Sequence, residues 1–205
     1  MSSPSLRRFS HVIGIDDAPF PRAHRGDVLV VGVAFTAGRT PSVPNDAPGP
    51  PGVEGVLSSR VRRDGANATR AVQKMVRASQ FYAHVHAVLF QGIALAGFNV
   101  IDIHALAEGL QRPVLVVARK APDMAAIESA LRTKVRGGAA KWQRILRAGP
   151  MEPCGPLFVQ RAGLSLAEAA DLIGRLAIHG HIPEPLRLAH LIAGGVTTGA
   201  SRGRA

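Results

Sequence analysis

Three apolar, β-prone runs come before the first amphipathic segment of this 205-residue chain, and that order restricts its fold more than any other feature. His11-Val-Ile-Gly-Ile15 and Val28-Leu-Val-Val-Val-Gly-Val-Ala-Phe35 read as strands on composition. Glu54 to Arg63 reads as a third, with Val56, Ser58, Arg60 and Arg62 alternating against Leu57, Ser59, Val61 and Arg63. Consecutive strands pair most simply as antiparallel hairpins. The turn Asp64-Gly65-Ala66-Asn67 then opens a helix, with Asn67 or Thr69 as its cap. On that helix Val72, Met75, Val76, Ser79 and Ala83 share one side, and Arg70, Lys74 and Arg77 share another.

A fourth strand (His86 to Phe90), a short helix (about Asp102 to Glu108) and a fifth strand (Pro113 to Ala118) follow. This βαβ order requires a parallel pair with a right-handed crossover. Helical stretches near Asp123–Lys134 and Ala139–Ala148 come next, then a late strand from Leu157 to Gln160. Ser165-Leu-Ala-Glu168 is a capping box that opens a helix to about Ile178. The last helix is expected to start at Pro183, turn Leu186, Ala189, His190 and Ile192 inward, and stop at Gly194-Gly195. The order predicts an α/β protein: a mixed sheet covered by helices.

At this length the chain is read as one domain over residues 1–205. Residues 36–53, dense in Pro and Gly, are expected to form a flexible insertion, and 197–205 a basic tail. Twenty-five Lys and Arg against 14 Asp and Glu leave a net charge of +11, which favours an anionic partner, nucleic acid (RNA or DNA) before membrane. The plainer alternative is the basic surface of an Arg-rich proteome. The longest apolar runs are far short of a spanning helix, so no membrane partner is expected. A single cysteine, Cys154, excludes an internal disulfide and a cysteine zinc cluster; Pro153-Cys154-Gly155-Pro156 reads as a turn. No apolar stretch follows Arg7 and Arg8, and the protein is read as cytoplasmic. Few aromatic residues argue against an extended base-stacking platform.

The acids carry the functional signal. Asp16 and Asp17 close the first strand, and buried acids there need a metal ion, a basic side chain or turn N–H groups. Asp16 is balanced between metal ligand and ion-pair partner, while Asp17 is expected to cap the Ala18-Pro19-Phe20 turn. Asp64-Gly65 reads first as a turn, and Asp102 as a helix N-cap or a metal ligand. The pairs His84/His86 and His179/His181 have chelating i, i+2 spacing, though isolated histidines are commoner; His190 reads as a core residue. No Ser, His and acid set forms a nucleophile motif, which disfavours acyl transfer.

Three segments bring a family resemblance: Val12-Ile-Gly-Ile-Asp-Asp-Ala-Pro-Phe20, Gln91-Gly-Ile-Ala-Leu-Ala-Gly-Phe-Asn-Val-Ile-Asp102 and Ile182-Pro-Glu-Pro-Leu-Arg-Leu-Ala-His-Leu-Ile192. With the closing Ser201-Arg-Gly-Arg-Ala205, they resemble an uncharacterised, mainly archaeal family distantly related to endonuclease V. The resemblance runs from His11 to Ala205 and implies a ribonuclease H-like fold: three leading antiparallel strands, then parallel βαβ units. Endonuclease V cuts nucleic acid near deaminated adenine with acid-bound Mg²⁺. Its first-strand Gly-x-Asp matches Gly14-Ile15-Asp16, implying a metal ligand at Asp16. Its fourth-strand Asp-Gly corresponds to Gln91-Gly92, a departure, since members of the uncharacterised family usually carry Asp there. The third acid corresponds loosely to Asp64, and a basic residue after the fifth strand to Arg119 or Lys120.

The resemblance thus implies a reacting set of Asp16, Asp64, Gln91 and Lys120, with Mg²⁺ (or Mn²⁺) held by Asp16 and Gln91 and with Asp17 or Asp102 as shifted ligands. Arg70, Lys74, Arg77 and Arg119 are the candidate nucleic-acid contacts. Mg²⁺ takes hard oxygen ligands and draws its binding energy from carboxylate charge. Gln91 offers an oxygen without charge, so the expected site is weakened, shifted or inactive. Two functions follow: a metal-dependent endonuclease, or a catalytically inactive protein that binds nucleic acid or a partner on the same scaffold.

Overall fold

A computed structural model describes residues 9–38 and 50–201; most of the Pro- and Gly-rich stretch (39–49) and the end of the basic tail (202–205) lie outside the described residues. The three leading strands are β1 (His11–Asp17), β2 (Asp27–Thr36) and β3 (Gly52–Arg62), followed by helix α1 (Ala68–Arg77). Next come β4 (Ala87–Gln91), a small hairpin of β5 (Ala94–Leu95) and β6 (Asn99–Val100), α2 (Ile103–Leu110) and β7 (Val114–Ala118). Helices α3 (Met124–Lys134) and α4 (Gly138–Arg147), strands β8 (Glu152–Cys154) and β9 (Leu157–Ala162), and helices α5 (Leu166–Leu176) and α6 (Glu184–Thr198) complete the order.

Seven strands form one mixed sheet in the order β3-β2-β1-β4-β7-β9-β8. β1 and β2, and β2 and β3, pair antiparallel, whereas β1–β4 and β4–β7 pair parallel, as the element order predicts. β9 returns antiparallel to β7. The strands at the centre bury nearly every residue, with Ile13, Ile15, Val30, Leu89, Phe90 and Leu115 fully enclosed. Hence β1 and β4 read as continuous apolar runs rather than alternating ones.

The sheet faces are told apart by two glycines. A Cβ on Gly32, paired with Ile15, would lie 3.3 Å from the Met75 methyl of α1, so Gly32, Ile15 and their same-side neighbours face α1. Gly14 points the other way, onto α6, which lies along β1 and β2.

Several local expectations change. The hairpin β5–β6 sits inside the segment read as a plain strand-to-helix loop, and β8 includes Cys154, leaving Gly155-Pro156 as the turn. α6 does not stop at Gly194-Gly195: it runs to Thr198, where Gly199 takes a left-handed φ of 77° and Ser201 Oγ donates to the Leu191 carbonyl at 2.6 Å. Two interior glycines cost a helix about 1 kcal/mol each, and the burial of Leu186, Ala189 and Ala193 on the sheet outweighs that. At α1 neither Asn67 nor Thr69 caps the helix by its side chain. Asn67 Oδ1 accepts from Arg62 N–H (3.1 Å) and Asn99 Nδ2 (2.7 Å), and Thr69 Oγ1 accepts the Asp102 N–H (3.0 Å). The capping box at Ser165 and Glu168 forms as expected. No helix among the described residues is long and apolar enough to cross a membrane.

Candidate functional site

Gly14 sets how closely α6 approaches the sheet. A Cβ there would stand 2.5 Å from the Pro185 carbonyl carbon and 2.7 Å from the Leu186 nitrogen, so strand and helix meet backbone to backbone. Two residues further along β1, on the same face, is Asp16; one turn further along α6 from Leu186 is His190. The two side chains meet, with His190 Nδ1 2.9 Å from Asp16 Oδ2. The other oxygen of Asp16 accepts the Asp17 N–H at 3.0 Å. Asp16 is only 7% exposed, and burial pushes its carboxyl above the usual carboxylate range, partly offset by the His190 hydrogen bond. His190 is therefore not the core residue its apolar helix face suggested: it is half-buried and bound to an acid 174 residues away.

Gln91 stands next to this pair. The β1–β4 register aligns Ile15 with Phe90, and its next step sets Asp16 beside Gln91 on the α6 face. Gln91 Oε1 is buried without a hydrogen-bond partner among the described residues. Leaving a buried polar group unpaired costs about 1–3 kcal/mol. The oxygen is thus an acceptor without a donor, at the C-terminal end of a central strand beside a buried carboxylate.

Asp17 and Asp64 go elsewhere. Successive strand residues face opposite ways, so Asp17 turns to the α1 face, where its Oδ2 accepts the Ala96 N–H at 3.0 Å. It does not cap the Ala18-Pro19-Phe20 turn; the Ala18 N–H is satisfied by the Leu29 carbonyl. Burial, reinforced by the Asp16 charge, pushes the Asp17 carboxyl up to about 7. Asp64 is a turn residue with φ 48°, as Asp-Gly suggested, and its carboxylate accepts the Phe98 N–H (2.8 Å) and pairs with Arg63 (3.2 Å). Its own N–H donates to the Ala96 carbonyl at 2.9 Å. A Cβ on Gly97 would sit 2.5 Å from Asp64 Oδ1, which is why glycine stands there. The ends of β1 and β3 are thereby fastened to one hairpin, β5–β6, through Asp17 and Asp64. From α4, the 3%-exposed Lys141 reaches the same turn and donates to the Asp64 carbonyl at 2.5 Å.

The remaining sequence candidates separate. Asp102 is the N-cap of α2, accepting from Ala105 N–H at 3.1 Å, and it pairs with Arg147 of α4, so both oxygens are taken. Arg119 and Lys120 lie exposed just beyond β7, whose Val117 aligns with Gln91. Arg70 and Lys74 are exposed on α1, but Arg77 stacks 6.0 Å over the Tyr82 ring. One member of each histidine pair is engaged elsewhere: His86 Nδ1 accepts the Ser10 N–H (3.2 Å) and His179 pairs with Glu184 (3.1 Å). Among the described residues no three His, Cys, Asp or Glu side chains converge into a group able to hold a metal.

The family model described as Endonuclease dU matches residues 8–197. The chain belongs to the Endonuclease dU family. A UPF0215 protein of Deinococcus radiodurans is 51% identical over 197 residues, covering 96% of this chain and 94% of that protein. A UPF0215 protein of Methanothermobacter thermautotrophicus is 40% identical over 197 residues, covering 95% and 91%. The crystal structure of a protein of unknown function from Archaeoglobus fulgidus superposes with a TM-score of 0.81 at 32% identity, covering 93% of this chain and 99% of that one. Ciona intestinalis endonuclease V, solved with a 24-mer DNA containing an inosine followed by a ribo-adenosine, gives a TM-score of 0.54 at 14% identity, covering 89% and 83%. This Endonuclease dU family member therefore has the ribonuclease H-like fold of endonuclease V.

Proposed function

We propose that this chain is a metal-dependent endonuclease that binds DNA at a deaminated base and hydrolyses a neighbouring phosphodiester, with Asp16, His190 and Gln91 as its reacting face. The observation that carries the reading is the open Gln91 oxygen beside a buried carboxylate held by a histidine. The family description carries dU, and Ciona intestinalis endonuclease V, which shares the fold, was solved with inosine-containing DNA; together these support deaminated bases as the substrate class.

The donor set suits a hard cation: one carboxylate and one amide oxygen without a hydrogen-bond partner, side by side at the ends of β1 and β4. Asp16 and Gln91 would hold Mg²⁺ or Mn²⁺, which would supply the positive charge that polarises a phosphoryl oxygen and activates water. The protein does the rest. His190 orients the Asp16 carboxylate and favours its charged form, and Arg119 and Lys120, beyond the neighbouring strand, offer charge to the substrate phosphate. Asp17 and Asp64 hold the β5–β6 hairpin in place as positioning residues. Asp102, with both oxygens taken, is left out of the ligand set.

A second reading, a DNA- or RNA-binding protein that does not cut, draws on Gln91, whose amide brings no charge to the ion. Cleavage of duplexes containing deoxyuridine or deoxyinosine, and of inosine-containing RNA, in Mg²⁺ or Mn²⁺ separates the two. Wild-type cutting that Asp16→Ala abolishes supports the endonuclease. Binding without cutting, with cleavage gained by Gln91→Asp, supports the inactive binder.

A further inference from the structure

Beside the α1 face of the sheet lies a groove of about 630 Å³ between edge strand β3 and helix α1. Ser58, Ser59 and Arg60 line it from the strand, and Asn67, Arg70 and Lys74 from the helix; no acid lines it. Arg70 and Lys74 are four residues apart and so stand one above the other on a single helix face. Several arginines elsewhere are paired with acids: Arg132 with Glu128, Arg161 with Glu152, Arg175 with Asp171 and Arg187 with Glu184. Among the described residues, Arg60, Arg70 and Lys74 have no acidic partner. Three uncompensated cations around hydroxyl and amide donors form a receptor for a polyanion.

The groove also has a direction. Asp27 of β2 pairs with Arg62 of β3, and Asp17 of β1 with Val30 of β2, so β3 ends at the edge of the sheet where β1 and β4 end. Asn67, at the mouth of the groove, is three residues from Asp64 and ties the end of β3 to Asn99. From Asn67 to Ser79 the helix wall extends about 18 Å at 1.5 Å per residue, long enough for several consecutive phosphates.

We infer that the β3–α1 groove is a track for the phosphodiester backbone of one nucleic-acid strand, which leaves the edge carrying Asp16 and Gln91 and runs along α1 over Arg60, Arg70 and Lys74. The inference rests on the nucleic-acid reading above but not on cleavage. It also divides the basic stripe of α1, since Arg77 is turned to Tyr82 and lies outside the track.

Fluorescence anisotropy of a labelled single-stranded DNA 20-mer, titrated with the full chain in EDTA across 50–200 mM salt, tests it. The groove variant is Arg60→Gln/Arg70→Gln/Lys74→Gln; the charge-matched control is Arg132→Gln/Lys134→Gln/Arg136→Gln on α3 and the loop after it. Loss of three phosphate contacts predicts at least tenfold weaker binding at 50 mM salt and a log K against log salt slope shallower by about 2. The control is expected to stay within about threefold of wild type. Equal losses in both variants, an unaffected groove variant, or no wild-type binding at 50 mM salt overturns the track. Strong wild-type binding through the groove with no cleavage of any substrate overturns the endonuclease reading alone. Cleavage and binding unchanged in the groove variant overturn the track alone.

Discussion

Helix α6 meets two buried acids six residues apart along its length, and the protein treats them in opposite ways. At its start Glu184, 5% exposed, receives two hydrogen bonds from Arg187 (2.8 and 2.6 Å) and stands 3.1 Å from His179. The Arg187 bonds hold its carboxyl below the usual carboxylate range despite burial. At the middle of the helix Asp16, 7% exposed, has one histidine and one backbone N–H, and burial prevails over both. A carboxylate with a guanidinium fork is electrostatically complete and fastens the helix start. One that burial keeps above its ordinary value, beside an oxygen with no donor, is electrostatically incomplete, and it is there that the proposed cation would bind.

The largest break in this comparison is expected from Asp16→Asn. It keeps the shape but removes the charge, and cleavage should fall by about 10³-fold or more, the scale of losing a main electrostatic contributor. Stability should hold or rise, as measured by urea denaturation, because an under-compensated buried charge is gone. A loss of fold instead of activity would place Asp16 with Glu184 as a structural acid.

Glu184→Gln should show the converse. It is expected to cost about 2 kcal/mol of stability, the size of losing charged hydrogen bonds, while cleavage by the folded protein stays within about threefold. Gly14→Ala should cost about 1–3 kcal/mol by overpacking against Pro185 and Leu186. By lifting α6 it should also reduce cleavage, a coupling that Glu184→Gln lacks; thermal melts and rates on one set of samples would compare them.

The pH dependence separates the two acid classes with opposite signs. Asp17 binds its proton more tightly in the folded state, about 7 against 3.8, so its contribution favours folding below about pH 4 and is lost as pH rises through 7. Glu184 binds its proton less tightly when folded, so its contribution is full above about pH 4.5 and is lost as pH falls. Asp17→Asn, which still offers Ala96 an oxygen, should therefore be more stable than wild type at pH 8 by about 1 kcal/mol, discounted for partial exposure, and the gap should close towards pH 5. Denaturation at the two pH values checks the sign. Least affected in stability should be Gln91→Leu, expected within about 1 kcal/mol of wild type by urea denaturation because it removes an unpaired buried oxygen along with its amide, while cleavage should fall with the loss of that oxygen.

The mixture of antiparallel leading strands and parallel βαβ units was legible because consecutive apolar runs near the N-terminus and alternation afterwards leave few unknotted topologies, whereas the antiparallel return of β9 beside β7 was not. Asp16 was legible too, since two acids closing a buried strand need partners. The β5–β6 hairpin was not. Its strands are two residues each, too short for any periodicity, and they form because Asp17 and Asp64 hold Ala96 and Phe98 from outside the segment. The basic stripe of α1 was visible, but only packing divided it, turning Arg77 to Tyr82 and leaving Arg70 and Lys74 on the groove.

Local periodicity, turn chemistry and net charge are properties of neighbouring residues or of the whole composition. By themselves they determined most of the element order, the mixed sheet, the acidic end of β1 and the expectation of an anionic partner. Tertiary structure alone decided that Ala96 N–H meets Asp17 and that Asp102 is taken by Arg147. It also decided that His190 crosses 174 residues of chain to meet Asp16. The physical reason is the contact at Gly14: without a side chain there, α6 settles directly on β1, and that close approach is a fact of packing between two distant segments.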